Sequence, residues 1–238
     1  MRKHNLTLIA LAFAVQIVVA AATQPALAQA PATPYPAMAP LTDYLLPSVD
    51  SEIALARSAA PKSISDAAEV MVLTRDGYIT AAKGTNGFVC VVERSWAAAT
   101  TDPEFWNPKV RSPNCFNAAA AKTYLPIVLM KTRLVLAGKS KSEIVNAISS
   151  ALDSKQIPPL APGSICYMMS HRQYLNDTGK AWHPHLMFFA PGDAAATWGA
   201  NLSDSPILAT YAPEDRVTVF MVVLDNWSDG TPGPQSRN

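Results

Sequence analysis

Residues 69–92 read EVMVLTRDGYITAAKGTNGFVCVV, and this stretch decides the fold class. Three β-rich runs, Glu69 to Leu73, Tyr78 to Ala82 and Phe88 to Val92, are separated by Arg75-Asp76-Gly77 and by Gly84-Thr85-Asn86-Gly87. Asp-Gly and Asn-Gly supply the positive-φ residues that tight hairpin turns need. The pattern predicts a three-stranded antiparallel meander.

Outward from it the period changes to helical. On the N-terminal side, Asp50 to Ala60 carries Ile53, Ala56 and Ala60 at helical spacing and stops at Pro61. On the C-terminal side, Asn117 to Lys122 and Ile127 to Ala137 read as helices, the second ending at Gly138. Ser140-x-x-Glu143 is a capping box that opens a further helix to about Ser154, with Ile144, Ala147, Ile148, Ala151 and Leu152 on one face. Prolines at 158, 159 and 162 then break the helix. Ile165 to Met169, His183 to Phe189 and Val217 to Leu224 read as strands, the last apolar enough for a central position. Strands before and after a central group of helices predict an α+β domain on a mainly antiparallel sheet: the N-terminal meander plus C-terminal strands, packed with those helices.

The ends of the chain have their own signatures. Arg2 and Lys3 precede an apolar stretch from Leu6 to Ala22, and Ala26-Leu27-Ala28 is a small-x-small cleavage pattern. Residues 1–28 are therefore expected to be a secretory signal peptide, with a mature chain starting at Gln29 or Pro31. Residues 29–40, rich in proline and free of charge, read as a linker, residues 41–227 as one globular domain, and residues 228–238 as a flexible tail. Later apolar runs are too short to span a bilayer. The expected location is the periplasm or the exterior, with no transmembrane segment after cleavage.

Composition excludes several function classes. The 238 residues carry 16% charged side chains, against roughly 25% in an average soluble domain, and a formal charge of only +1. Without residues 1–40 the balance is 17 basic against 18 acidic groups. No single-sign field is available for a polyanion, so no nucleic-acid partner is expected. Neither glycine-rich phosphate fingerprint is present. The expected partner is a small molecule or another protein of the cell envelope.

Candidate site residues are few. Cys90, Cys115 and Cys166 would enter an oxidising compartment, where pairs persist as disulfides. Cys90 with Cys115 closes the shortest loop and leaves Cys166 over, although spacing alone does not fix the connectivity. In Trp182-His183-Pro184-His185, strand alternation would set both imidazoles on one face, where they could hold a divalent transition metal. Two ligands do not complete a zinc site, and a third would have to come from His171, Asp177, Asp193 or Cys166. Otherwise no cofactor is expected. Ser170 and His171 cannot pair if the strand of Ile165 to Met169 extends to them, since adjacent strand residues point to opposite faces, and Cys166 lacks the helix N-terminus that activates a catalytic thiol. The carboxylates Asp43, Asp50, Asp66, Asp76, Asp102, Glu104, Asp193, Asp204, Glu214, Asp215, Asp225 and Asp229 mostly fall in turns or helix starts, where capping places them. Trp182 and Trp198 are the aromatic residues expected to border a ligand groove.

Cys90 and Cys115, Tyr167-Met168-Met169-Ser170 and Pro184-His185-Leu186-Met187-Phe188-Phe189-x-Pro191 resemble a group of uncharacterised secreted proteins of Gram-negative bacteria, over roughly residues 50 to 225. The resemblance implies export and a shared fold, and it brings no catalytic role. The expected function is thus a non-catalytic binding or accessory protein outside the cytoplasm, with a metal-dependent hydrolase centred on His183 and His185 as the alternative.

Overall fold

Strand β1 (Glu69–Thr74) buries Val70 and Val72 in one apolar cluster and Leu73 in another, so both of its faces are covered. The computed structural model that shows this describes residues 34–234; the export signal expected over residues 1–28 lies outside the described residues. Strand β2 (Gly77–Ala82) returns antiparallel to β1 through Arg75 and Asp76, with Gly77 at a φ of 111°. This half of the expected meander is present.

The third strand is elsewhere. β3 (Val89–Glu93) does not continue beside β2; it pairs in parallel with the other edge of β1, Glu69 opposite Val89 and Val70 opposite Cys90. The loop of Lys83 to Phe88 carries the chain past the start of β1, where Thr85 N–H donates to Ala67 O (2.8 Å) and Glu69 N–H donates to Phe88 O (2.9 Å). Gly84 permits the crossing, because a Cβ there would lie 2.1 Å from Glu69 N. The Asn-Gly pair thus serves a crossing loop rather than a two-residue hairpin.

Beyond β3 the sheet grows by β4 (Ser112–Phe116), β5 (Ile165–Met168), β6 (His185–Pro191), β7 (Ile207–Ala212) and β8 (Val217–Val223). The order is β2-β1-β3-β4-β5-β6-β8-β7, with every neighbouring pair antiparallel except β1 with β3. β4 and β7 were not expected from the sequence. Pro113 disguises β4, yet it stands two residues from Cys115, whose Cα lies 4.0 Å from that of Cys90. That spacing belongs to a non-hydrogen-bonded pair, so the N–H missing from Pro113 costs the β3 ladder nothing.

Helices cover both faces. Helix α1 (Val49–Arg57), N-capped by Ser48, lays Leu55 and Ala56 on Val70, Val72, Cys90, Val92 and Cys115. After the single turn α2 (Lys62–Ser65), the helices α3 (Ala118–Thr123), α4 (Leu125–Leu136) and α5 (Lys141–Asp153) follow. On the opposite face Ala120, Leu125 and Val128 meet Val91, Phe116, Cys166 and Phe189. α5 opens with the expected box: the Ser140 hydroxyl accepts from Glu143 N–H, and Glu143 accepts from Ser140 N–H. The architecture is α+β.

Two segments expected to be loose are fastened. Tyr35 and Met38 pack on the core, Tyr35 O–H donates to Asp177, and Ala39 N–H donates to Tyr44 Oη (3.2 Å). Their apolar bulk outweighs the prolines around them. At the other end the tail folds back through Asp229-Gly230, Trp227 N–H donating to Thr231 O (2.8 Å), and Ser228 O–H donates to Ser58 O (2.6 Å). Trp227 is buried there, so residues 228–234 are held by the domain.

Candidate functional site

Strand alternation at the end of β3 sends two charged neighbours to opposite faces. Cys90 and Val92 face α1, and Arg94, two residues on, reaches Glu52 of that helix (2.9 Å) while its Nε donates to Tyr44 O (2.7 Å). Val91 and Glu93 face α4. On that side Lys131 of α4 donates to Asp215 Oδ2 (2.8 Å), and both groups are buried. Glu93 lies near this pair without joining it. Its carboxyl is pushed up to about 7, first by burial, with Lys131 and Asn114 offsetting part of the effect and Asp215 adding to it. Burial also raises Asp215.

Glu93 borders a cavity of about 250 Å3, whose wall also includes Arg94, Ser95, Asp102, Glu104 and Leu175. Two polar atoms of residues on this wall are sealed from solvent and have no hydrogen-bond partner among the described residues: Glu93 Oε1 and Ser95 Oγ. Native structures satisfy the great majority of buried polar groups, so two orphans on one wall require a reason. The wall holds three carboxylates, and its one cation, Arg94, is turned away toward Glu52 and the carbonyls of Tyr44 and Val92. Asp102 and Glu104 are set by their turn: Asp102 Oδ1 accepts from Glu104 N–H (2.7 Å), and Glu104 Oε2 accepts from Asn107 Nδ2 (2.5 Å). A carboxyl titrating near neutrality beside two others makes a recess for a cation or for several hydrogen-bond donors.

The residues singled out from the sequence are distributed differently. Cys90 and Cys115 are disulfide-bonded across β3 and β4, and Cys166 is a buried free thiol. Desolvation raises that thiol well above its usual range, and it donates to Asn114 Oδ1 (3.4 Å) with no imidazole beside it. His185 opens β6, 2% exposed, and its Nδ1 bonds His183 O (2.7 Å); burial lowers its proton affinity. His183 precedes the strand, so the alternation expected to align the two rings does not reach it, and its Nδ1 meets Pro234 O (3.1 Å). Among the described residues no three of His, Cys, Asp and Glu converge as metal ligands.

Trp182 packs edge-on against both rings, at 5.5 Å from His183 and 4.8 Å from His185. Trp198 stacks on Phe220 (4.2 Å) and leans on Phe188 (5.9 Å). His185 and Phe188 are three residues apart in one strand and so point to opposite faces. The two tryptophans therefore do not border one groove. β5 ends at Met168, so strand alternation does not reach Ser170 and His171; they are engaged separately, His171 pairing with Asp229 (3.3 Å) and the Ser170 hydroxyl sharing a hydrogen bond with that of Ser58 (2.7 Å).

Glu93 and Lys131 went unmarked in the sequence, although each carries a signal: a lone acid closing the apolar run VCVV, and a lone lysine inside PIVLMKTRLVL. No family model, no curated protein and no solved structure matches the chain.

Proposed function

We propose that the chain is an exported, non-catalytic binding protein of the cell envelope and that the Glu93 cavity receives a small protonated amine carrying further hydrogen-bond donors. The observation that carries this reading is the pair of orphan acceptors, Glu93 Oε1 and Ser95 Oγ, on one wall. Leaving a buried polar group unpaired costs about 1–3 kcal/mol, more when it is charged. An ammonium group supplies the positive charge that Glu93, Asp102 and Glu104 do not find on the wall, and it satisfies Glu93 Oε1 and Ser95 Oγ once these sealed atoms turn toward the cavity. At about 250 Å3 the space suits a ligand below drug size. Export rests on the Arg2 to Ala28 pattern and on the resemblance to secreted proteins, and a disulfide is a bond that an oxidising compartment preserves.

The test is thermal unfolding of the chain from Gln29 at neutral pH with glucosamine or putrescine, against glucose and N-acetylglucosamine. A ligand that binds only the folded state raises its stability by mass action, by about 2.7 kcal/mol at a hundredfold excess over the dissociation constant. The amines are expected to raise the midpoint, the neutral compounds to leave it unchanged, and Glu93→Gln to abolish the response. Absence of any amine effect, or an equal effect in the Gln variant, refutes the reading.

A further inference from the structure

A second recess lies on the α1 side, where four separate segments meet. Its volume is about 270 Å3, and its wall is built from the end of α1 (Arg57, Ser58), from α2 (Lys62), from the loop after β5 (His171, Arg172) and from the returning tail (Ser228). Asp66 and Asp229 complete its charged groups.

The charges on this wall are unbalanced. Among the described residues no carboxylate lies within ion-pair distance of Arg57, Lys62 or Arg172. Asp229 is already answered, accepting from Thr231 N–H (3.0 Å) and Thr231 O–H (2.6 Å) and pairing with His171. Three cations stand against two carboxylates, an excess of one positive charge, or two when His171 carries its proton. In a chain whose total is only +1, this is a local concentration.

The donors are also incompletely used. Arg172 spends Nη2 on Ala54 O (2.5 Å), and its other guanidinium nitrogens have no hydrogen-bond partner among the described residues. Arg57 Nε is sealed from solvent and has no partner among the described residues. Two exposed cations without counter-ions among the described residues, Lys62 and Arg172, with Arg57 beside them on one wall, suit an anionic ligand with several oxygens. Guanidinium forks match phosphate geometry, and a phosphomonoester is an anion of about −1.5 to −2 charge at neutral pH, opposite in sign to the excess on the wall.

We infer that this recess is a binding site for the phosphate group of a small soluble phosphomonoester, held by Arg57, Lys62 and Arg172. It is separate from the Glu93 cavity, with which it shares no wall residue.

Glycerol 3-phosphate is the probe, with glycerol as the neutral control, titrated calorimetrically into the chain from Gln29 at low, constant ionic strength. Binding of the ester and none of glycerol is expected. Lys62→Gln combined with Arg172→Gln, both exposed and able to change without opening the core, should weaken binding about tenfold or more, the loss expected from at least 1.4 kcal/mol of charge-assisted hydrogen bonding. Glu93→Gln should leave it unchanged, so this site and the amine site fail independently. No heat and no thermal shift with glycerol 3-phosphate overturns the inference, as does undiminished binding by the double variant. Binding to phosphatidic acid vesicles without binding to the soluble ester also overturns it, since the occupant would then be a membrane surface.

Discussion

Replacing Glu93 by Gln tests whether the cavity carboxyl is maintained at a cost to the fold. Glu93 would ordinarily release its proton at 4.5, and in the folded chain it does so at about 7. A carboxyl whose folded value is raised contributes full stability below 4.5; the contribution drains away as pH climbs toward 7, because the unfolded chain ionises first. The gap corresponds to about 3 kcal/mol. At pH 8 the wild type therefore holds a buried carboxylate with Oε1 unpaired, whereas Gln of the same shape holds a neutral amide.

The variant is expected to be more stable than wild type at pH 8 by up to about 3 kcal/mol, or about 6–12 °C in midpoint for a domain of this size, and to match it near pH 4.5. The assay is urea and thermal unfolding of both proteins between pH 4.5 and 8. His185 works in the opposite sense: its lowered affinity for a proton means stability is lost as pH falls below 6.5. Comparing the two proteins at each pH cancels that contribution, since both keep His185. A difference independent of pH, or a Gln variant no more stable than wild type at pH 8, refutes the burial argument for Glu93. Stabilisation at pH 8 together with loss of the amine response is the pattern of a group retained for binding at the expense of stability.

Other perturbations read different parts of the fold. Converting both Cys90 and Cys115 to Ala releases a loop closed over a separation of 25 residues; about 3.5 kcal/mol should be lost, measured by urea unfolding against the oxidised wild type. Glu52→Ala leaves Arg94 buried without its counter-ion and should cost about 3–5 kcal/mol, while Glu52→Leu with Arg94→Met should recover much of that; equal losses from the single and paired changes would deny coupling. Cys166, buried and with its thiol poorly ionised, should resist iodoacetamide until the chain unfolds, and modification at the rate of a free thiol peptide would contradict its placement.

How much of this was legible depends on whether local signals decided the outcome. The α5 box, the β1–β2 hairpin and the Cys90–Cys115 pair were readable because turn chemistry, capping and loop length act over a few residues. The position of β3 was not, since Asn86-Gly87 suits a hairpin and a crossing loop alike. What permits the crossing is the close approach of Gly84 to Glu69, which only the folded backbone reveals. β7 is an edge strand with Leu208 and Tyr211 exposed, so burial imposes no strict alternation on its sequence. Both recesses are built from segments far apart in the chain, Glu93 with Leu175 in one and Arg57 with Arg172 and Ser228 in the other, and spacing does not encode such meetings.

The scarcity of charge takes on a different meaning once the interior is known. A charge-poor chain ought to bury apolar groups and spend its few charges on the surface, yet Glu52, Glu93, Arg94, Lys131 and Asp215 are all less than a tenth exposed. Stability alone does not require this, because well-packed apolar residues commonly replace a buried ion pair without loss. The arrangement does something that apolar packing would not. Arg94 is tied to α1 and to the carbonyls of Tyr44 and Val92, which fixes the end of β3 from one face. Lys131 is tied to Asp215, in the turn joining β7 to β8, and to the carbonyls of Ala97 and Ala98 on the cavity wall. Glu93 sits between the two fixed points with one oxygen unused. A carboxylate meant to meet a ligand is held by neighbours whose own hydrogen bonds are already committed. Were Lys131 free to swing to Glu93, the cavity would supply its own cation and have no use for one from outside.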